Sequence, residues 1–326
     1  MDFLQNTKQY TSKELERTFF LPMLTGASAE ELGIRIVYNM PIPTDVLYYS
    51  PRTNILKKYN AQEDWKSVGG SLKNAVRIPM ANVKAESCYS ASDYFSTIYE
   101  NLMLKPGIDM ENLTGTALEE IETSIFRQEI QENLRATMWV GDTSLSTGLN
   151  TFDGFIKQIF EISNLGDIST TTFTAADAKD PNKITTIFDK LWELSNPAIH
   201  STKRKDRLAY FVTSDLYELY EKYLDAKGVD SAFEGMVNGH KTLSYHGIAV
   251  INLDIEDYQL PTGVAQSFAF LTSRDNLVLA VNTADMPGNE VRMWYNPDAM
   301  ENRQRACFMA GCSPLDTTLI TVASLA

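Results

Sequence analysis

Two apolar stripes run side by side through the stretch Thr114–Ile159. Leu118, Ile121 and Ile125 form one; Phe126, Ile130, Leu134 and Met138 form the other. Steps of three and four place each stripe along one face of a helix. Together they span more than half the circumference, so the predicted helix meets neighbours on more than one side, as a central strut does. Thr116 and Glu119 have capping-box spacing at its start, and Gly141 is a natural stop. A tight turn and a short apolar segment ending at Ile159 follow.

Upstream, residues 1–32 read as an arm with two short helices, each opened by a capping box (Thr11 with Glu14, Ser28 with Glu31). The period then falls to two. Ile34, Ile36 and Tyr38 share one face and Arg35, Val37 and Asn39 the other, which predicts a strand. Pro41, Pro43 and Pro51 keep this region out of a sheet centre. Two further runs flank Gly69–Gly70 and predict a long two-stranded hairpin. Such a hairpin is marginal alone and must lie on its own domain or on another subunit. Ser90 or Ser92 is expected to cap a helix through about Met103, stopped by Pro106–Gly107.

Downstream of the strut, residues 163–180 are polar and Thr-rich, either a surface loop or an edge hairpin. Asp180 and Pro181 open an amphipathic helix with Ile184, Ile187, Phe188, Leu191 and Leu194 on its apolar face. The apolar run Leu208–Val212 predicts a buried strand, and Thr213 or Ser214 caps a second helix bearing Leu216, Leu219, Tyr220, Tyr223 and Leu224. Helix, strand, helix suggests an α/β subdomain. Strands are expected near 242–244, 248–253, 267–271 and 277–281. EVRMWYN and RQRACFMAGCSPLDTTLITVA read as closing strands and a short apolar segment.

Composition narrows the function. The 326 residues suffice for one large or two modest domains, and 44% hydrophobic with 22% charged residues is ordinary for a globular chain. A net charge of -13 argues against a general nucleic-acid binder. Cys88, Cys307 and Cys312 are expected to be reduced and buried. The N-terminus MDFLQNTKQY has neither the basic nor the apolar part of a secretion signal, and no apolar run reaches membrane-spanning length.

Candidate chemistry is sparse. His200, His240 and His246 lack zinc-ligand spacing. Gly235–Thr242 (GMVNGHKT) misses the phosphate-loop pattern because His240 precedes the lysine, so it reads as a glycine-containing loop. Asp254, Glu256 and Asp257 form an acidic cluster: a divalent-cation site or a solvated loop. Lys203, Arg204, Lys205 and Arg207 read as a solvated edge. On the projecting hairpin, Trp65 and the pair Tyr48–Tyr49 are candidate partner contacts. No catalytic residue, cofactor or metal is assigned. So few candidate groups favour a structural or assembly protein over an enzyme.

The order of these elements resembles the major capsid proteins of tailed bacteriophages, the Hong Kong 97-like fold. DGFIKQI (Asp153–Ile159) is similar to the family's entry to its second domain, and LAYFVTSDLYELYEKYL (Leu208–Leu224) to its strand and helix. YHGIAVINLDIED resembles a following segment, with Ala249 where the family has proline, and FAFLTSRDNLVLAVN is like a strand carrying Asn-Leu. RQRACFMAGCSPLDTTLITVA looks like a final helix-to-strand return. The flavour is nearest to capsid proteins of phages infecting Bacteroidetes, including crAss-like ones.

The resemblance implies an α+β chain with an N-arm (1–32), an extended E-loop hairpin (33–80), a peripheral P-domain with a spine helix (81–150 and 276–326) and an α/β axial A-domain (151–275). It implies self-assembly into pentamers and hexamers of an icosahedral shell around double-stranded DNA that is bound only weakly. Further implied partners are a portal and separate scaffolding or decoration proteins. The implied site is a virion capsid assembled in the host cytoplasm, with no membrane partner. Lysine–asparagine cross-linking occurs in a few relatives; Lys57, Lys58, Lys66 and Lys73 lie in the hairpin, but nothing in the sequence identifies the needed partner, and Lys57 and Lys58 join the candidate contacts. Two rivals stand beside this: an encapsulin-type cargo shell with the same fold, and a soluble α/β enzyme with a site near Asp254–Asp257.

Overall fold

The structure, a computed structural model, describes residues 8–9, 32–38, 44–49, 73–90, 117–201, 207–228, 233–237, 240–282 and 292–326. Its first half runs β1 (Lys8–Gln9), β2 (Arg35–Tyr38), β3 (Thr44–Tyr49), β4 (Lys73–Ile78), β5 (Ala81–Ser90), then helices α1 (Ala117–Val140) and α2 (Phe155–Asn164). The second half runs β6 (Ser169–Phe173), α3 (Ile184–Leu194), α4 (Pro197–Ser201), β7 (Leu208–Val212), α5 (Ser214–Lys227), β8 (Phe233–Val237) and β9 (His240–Tyr245). It closes with β10 (Ile248–Asn252), β11 (Phe268–Ser273), β12 (Leu277–Asn282), β13 (Arg292–Asn296), β14 (Glu301–Pro314) and β15 (Thr321–Leu325).

These strands form two main sheets. The first is built on the 14-residue β14. One of its sides takes β13 opposite Glu301–Arg305 and β12 opposite Met309–Pro314, and the other takes β5 opposite Glu301–Ala310. Short β1 extends this sheet beyond β13, and β2 lies parallel to β12 at the far edge. That edge place is what the prolines after β2 require. The second sheet has the order β6-β15-β11-β7-β10-β9-β8. Here β7 and β10 are parallel neighbours joined through α5, a helical crossover of the kind the helix–strand–helix pattern predicted. β3 and β4 make the separate two-stranded hairpin.

Alternation decides which face each strand shows to which layer. Ala209 and Phe211 of β7 face a core made with α1, α2, β12 and β14. Leu208, Tyr210 and Val212 face a second core beneath α3 and α5. α1 is the strut that the stripes predicted: Phe126, Ile130, Leu134 and Met138 are all buried. Its last turn is buried on all sides, and Trp139 sits 5.5–5.7 Å from the rings of Phe155 and Phe211 and 6.4 Å from Phe270. One helix therefore joins the first sheet to the second. The other stripe and the capping box lie outside the described residues or side chains. Among the described residues no helix is long and apolar enough to cross a membrane.

Several expectations need correction. Residues 169–173 are a parallel edge strand on β15, not a hairpin. Leu194 does not join the buried face of α3; it is 45% exposed beyond the last core turn. The described parts of Gly235–Thr242 are strand and not loop: β8 and β9 pair there with Val237 opposite His240. The closing segment is not a helix-to-strand return. Glu301–Pro314 is a single strand, followed by one short 3-10 turn, Thr317–Leu319, and β15. Cys88 is exposed on β5; only Cys307 and Cys312 are buried, and all three are free thiols. The predicted helices in 1–32 and near 90–103 fall outside the described residues, apart from Ser90, which ends β5.

Candidate intersubunit surfaces and the joint between the sheets

The hairpin is the first candidate surface. Thr44 pairs with Ile78 at its base and Tyr49 with Lys73 at the far end of the ladder. The base is anchored on the chain's own body: Val46 and Ile78 are buried against Val278 and Ala280 of β12 and Leu315. Asp45 and Arg77 are opposite in register, and their side chains pair at 3.2 Å on the surface. Tyr48 and Tyr49 are consecutive residues of β3, opposite Asn74 and Lys73, and so stand at positions on opposite faces of the ladder. Trp65, Lys57 and Lys58 lie outside the described residues.

β5 is the second. It continues from β4 after Pro79 and Met80, and β14 holds only one of its edges. Ala81, Val83, Ala85 and Ser87 are half-buried, whereas Asn82, Lys84, Glu86 and Cys88 are exposed. A cleft of about 300 Å³ lies between this strand and α1, lined by Val83, Phe126, Ile130, Leu134, Phe152 and Phe308 among others.

The strut and α2 meet at a tight joint. The Gly154 N–H donates to the Gly141 carbonyl at 2.8 Å. A Cβ on Gly141 would lie 2.3 Å from the Phe152 carbonyl oxygen, and one on Gly154 2.5 Å from that of Trp139. Only glycine permits so close a passage. This passage gathers a charge cluster that the sequence reading missed. Lys157 Nζ lies 2.8 Å from Asp142 Oδ1 and 2.7 Å from Asp153 Oδ1. Ser144 donates to Asp142 from its N–H and hydroxyl, and Thr143 does the same for Asp153. Burial opposes ionisation of Asp142, yet hydrogen bonds from Lys157 and Ser144 outweigh it and hold its pKa at about 2. Asp153 is lowered by the same contest, and Lys157 is raised despite burial by its two carboxylate partners. Beside them, Gln158 Nε2 donates to the carbonyls of Asp153 and Cys312, tying α2 to β14. The Asp153–Lys157 spacing of four on a helix start was the one visible signal.

The acidic segment is bound to the strut. Arg135 of α1 donates to the Asp254 carbonyl at 3.2 Å and lies 3.7 Å from its carboxylate. Tyr258 donates to Glu132, and that bond, against some burial, lowers the Glu132 pKa. Among the described residues no three His, Cys, Asp or Glu side chains are arranged to hold a metal ion. His200 stacks on Trp192 at 4.1 Å, with Nε2 2.7 Å from Ser195 Oγ. His240 opens β9, and His246 occupies the β9–β10 turn at φ 52. Arg207 pairs with Asp275 at 2.5 Å, and residues 203–205 are outside the described set.

No family model matches the sequence, and no curated protein does. Solved structures match over nearly the whole chain. A chain of the satellite phage P4 procapsid superimposes at TM-score 0.55 and 11% identity, covering 94% of this chain and 97% of that one. The chain has a phage capsid fold. A chain of Gordonia phage Cozz gives 0.53 at 14% identity, over 92% and 86% of the two chains. The capsid of cyanophage P-SCSP1u gives 0.51 at 9%, over 91% and 88%. The shared architecture is the Hong Kong 97-like fold expected from the element order; at these identities the likeness is one of fold.

Proposed function

We propose that this chain is the major capsid protein of a tailed bacteriophage and builds the pentamers and hexamers of an icosahedral shell around double-stranded DNA. The observation that carries the reading is the end-to-end match with chains of a phage procapsid and a phage capsid, over more than nine-tenths of this chain in each case. The surfaces fit the role. An anchored hairpin, a long edge strand and a rigid strut supply area for contact with neighbours, and such a protein works by burying that area.

On this reading residues 1–32 are the N-arm and 33–80 mainly the E-loop. The P-domain comprises 81–150 with 276–326 around α1, and the A-domain is 151–275. The last strand, β15, hydrogen-bonds within the second sheet, which favours counting Thr321–Leu325 with the A-domain instead of with the rest of 276–326. Trp65, Tyr48, Tyr49, Lys57 and Lys58 are contacts between subunits. The partners are further copies, a portal, and separate scaffolding or decoration proteins. The net charge of -13 keeps the lining from gripping the packaged DNA. Assembly takes place in the host cytoplasm, and a Bacteroidetes host fits the sequence flavour.

Negative-stain microscopy of the purified chain, alone and co-expressed with its neighbouring genes, tests the reading. Rings, capsomers or shells are expected in at least one preparation. A monodisperse monomer in both would overturn it.

A further inference from the structure

The outer edge of β5 carries a self-complementary pattern. The strand is ten residues long, regular, and among the described residues no strand pairs with its outer edge. Long exposed edges are templates for another strand. We propose that β5 pairs antiparallel with β5 of a second copy across a two-fold axis centred on Ala85.

The register follows from charge. Centring on Ala85 sets Lys84 of one chain opposite Glu86 of the other, and Glu86 opposite Lys84, so two ion pairs form by symmetry. Centring on Lys84 or Glu86 would set like charges face to face, which is destabilising in a cross-strand pair. The same centre sets Asn82 opposite Cys88 and Val83 opposite Ser87. From Asn82 to Cys88 each exposed residue then meets an exposed one, and each half-buried residue a half-buried one. At the axis two alanines meet, small enough for close approach. Within one chain Lys84 and Glu86 already pair at 2.7 Å, but both are more than half exposed. Such a pair contributes little, so exchanging partners across the axis is nearly free, while the main-chain bonds are new. The contact is isologous, as a two-fold requires. It merges two six-stranded sheets into one continuous sheet. Its use as a shell contact rests on the capsid reading; the pairing itself does not.

Cys88 makes the register testable. In an Asn82→Cys, Cys307→Ala chain, residues 82 and 88 of one strand stand roughly 20 Å apart at about 3.4 Å per residue, so they cannot join within a chain. Across the axis they face each other. Mild oxidation should give covalent dimers whose peptides map to a 82–88 disulfide. Adding Lys84→Glu should abolish them, and adding Glu86→Lys to that should restore them. A second measurement uses the unsubstituted chain: a mixture of isotopically light and heavy protein, treated with carbodiimide, should give light–heavy amides between Lys84 and Glu86. Absence of both cross-links, or a disulfide indifferent to charge reversal, overturns the proposal. Microscopy of the same samples separates the two readings. Shells lacking both cross-links reject the β5 pairing and leave the capsid role; cross-linked dimers that never form larger assemblies keep the pairing and count against the capsid role.

Discussion

At Lys157 a single ammonium group holds two loops together. Asp142 is 1% exposed, so removing its cation leaves an uncompensated buried charge facing Asp153. Breaking a buried pair in this way costs about 3–5 kcal/mol. Lys157→Met is expected to lose about that much in denaturant unfolding, and Asp142→Asn about 1–2 kcal/mol, because the amide oxygen still accepts from Ser144. Acid offers a second route. The folded pKa of Asp142, about 2, lies below its unfolded value, so its contribution is complete above the unfolded pKa of ~3.9 and is lost as pH falls through about 2. Wild-type stability between pH 5 and pH 2 should therefore fall more steeply than that of Asp142→Asn; parallel curves would remove Asp142 from the joint. Only part of this cluster was legible. Asp153 and Lys157 share a helix start, which spacing reveals. Asp142 arrives through the close passage of Gly141 and Gly154, and no periodic pattern encodes a contact between two backbones.

Elements were legible where one face was plainly apolar. β7 and the buried positions Ile184, Ile187, Phe188 and Leu191 on α3 stand where the pattern placed them, because a wholly apolar run or a clean helical stripe has one way to be buried. β14 was legible as a strand in the closing segment, but its length and its inward face were not. Asn302, Gln304 and Ala306 point inward while Glu301, Arg303 and Arg305 point outward. Its first half does alternate with period two, but the buried side is amide rather than hydrocarbon, so hydropathy does not show it. The hairpin lies between these cases: two runs and a glycine pair predicted it, and its anchoring through Val46 and Ile78 could only be seen in three dimensions. That anchoring gives a prediction. Deleting Asn60–Leu72 leaves the packed base intact, so circular dichroism and thermal unfolding should change little. On the proposed capsid role closed particles should be lost, because the hairpin is then a contact between subunits. Normal particles from this deletion would mean that the hairpin makes no contact essential for closure. Leu134→Asp is the contrasting variant: a carboxylate in the shared core should prevent folding altogether.

For the whole molecule, net charge and local pairing pull in opposite directions. Each copy carries -13, and on the proposed capsid role gathering many copies in one shell brings like charges within each other's range. The proposed two-fold contact adds two exposed ion pairs, each worth about 0–1 kcal/mol. Salt acts on both. At 0.1 M the screening length is about 10 Å, shorter than the distance between most charges on neighbouring subunits but longer than a direct ion pair. Screening thus removes far more repulsion than attraction. The expected outcome is that raising salt from about 0.02 to about 0.5 M lowers the protein concentration at which particles appear, measured by light scattering at constant pH. The Lys84→Glu, Glu86→Lys chain has the same net charge and should follow the same curve. Lys84→Glu alone, two units more negative, should need more salt at every concentration. If salt instead dissolved particles of the unsubstituted chain, specific ion pairs would outweigh net charge in holding subunits together, and the search for contacts would move to the charged residues of the hairpin, Asp45, Arg77 and Lys73.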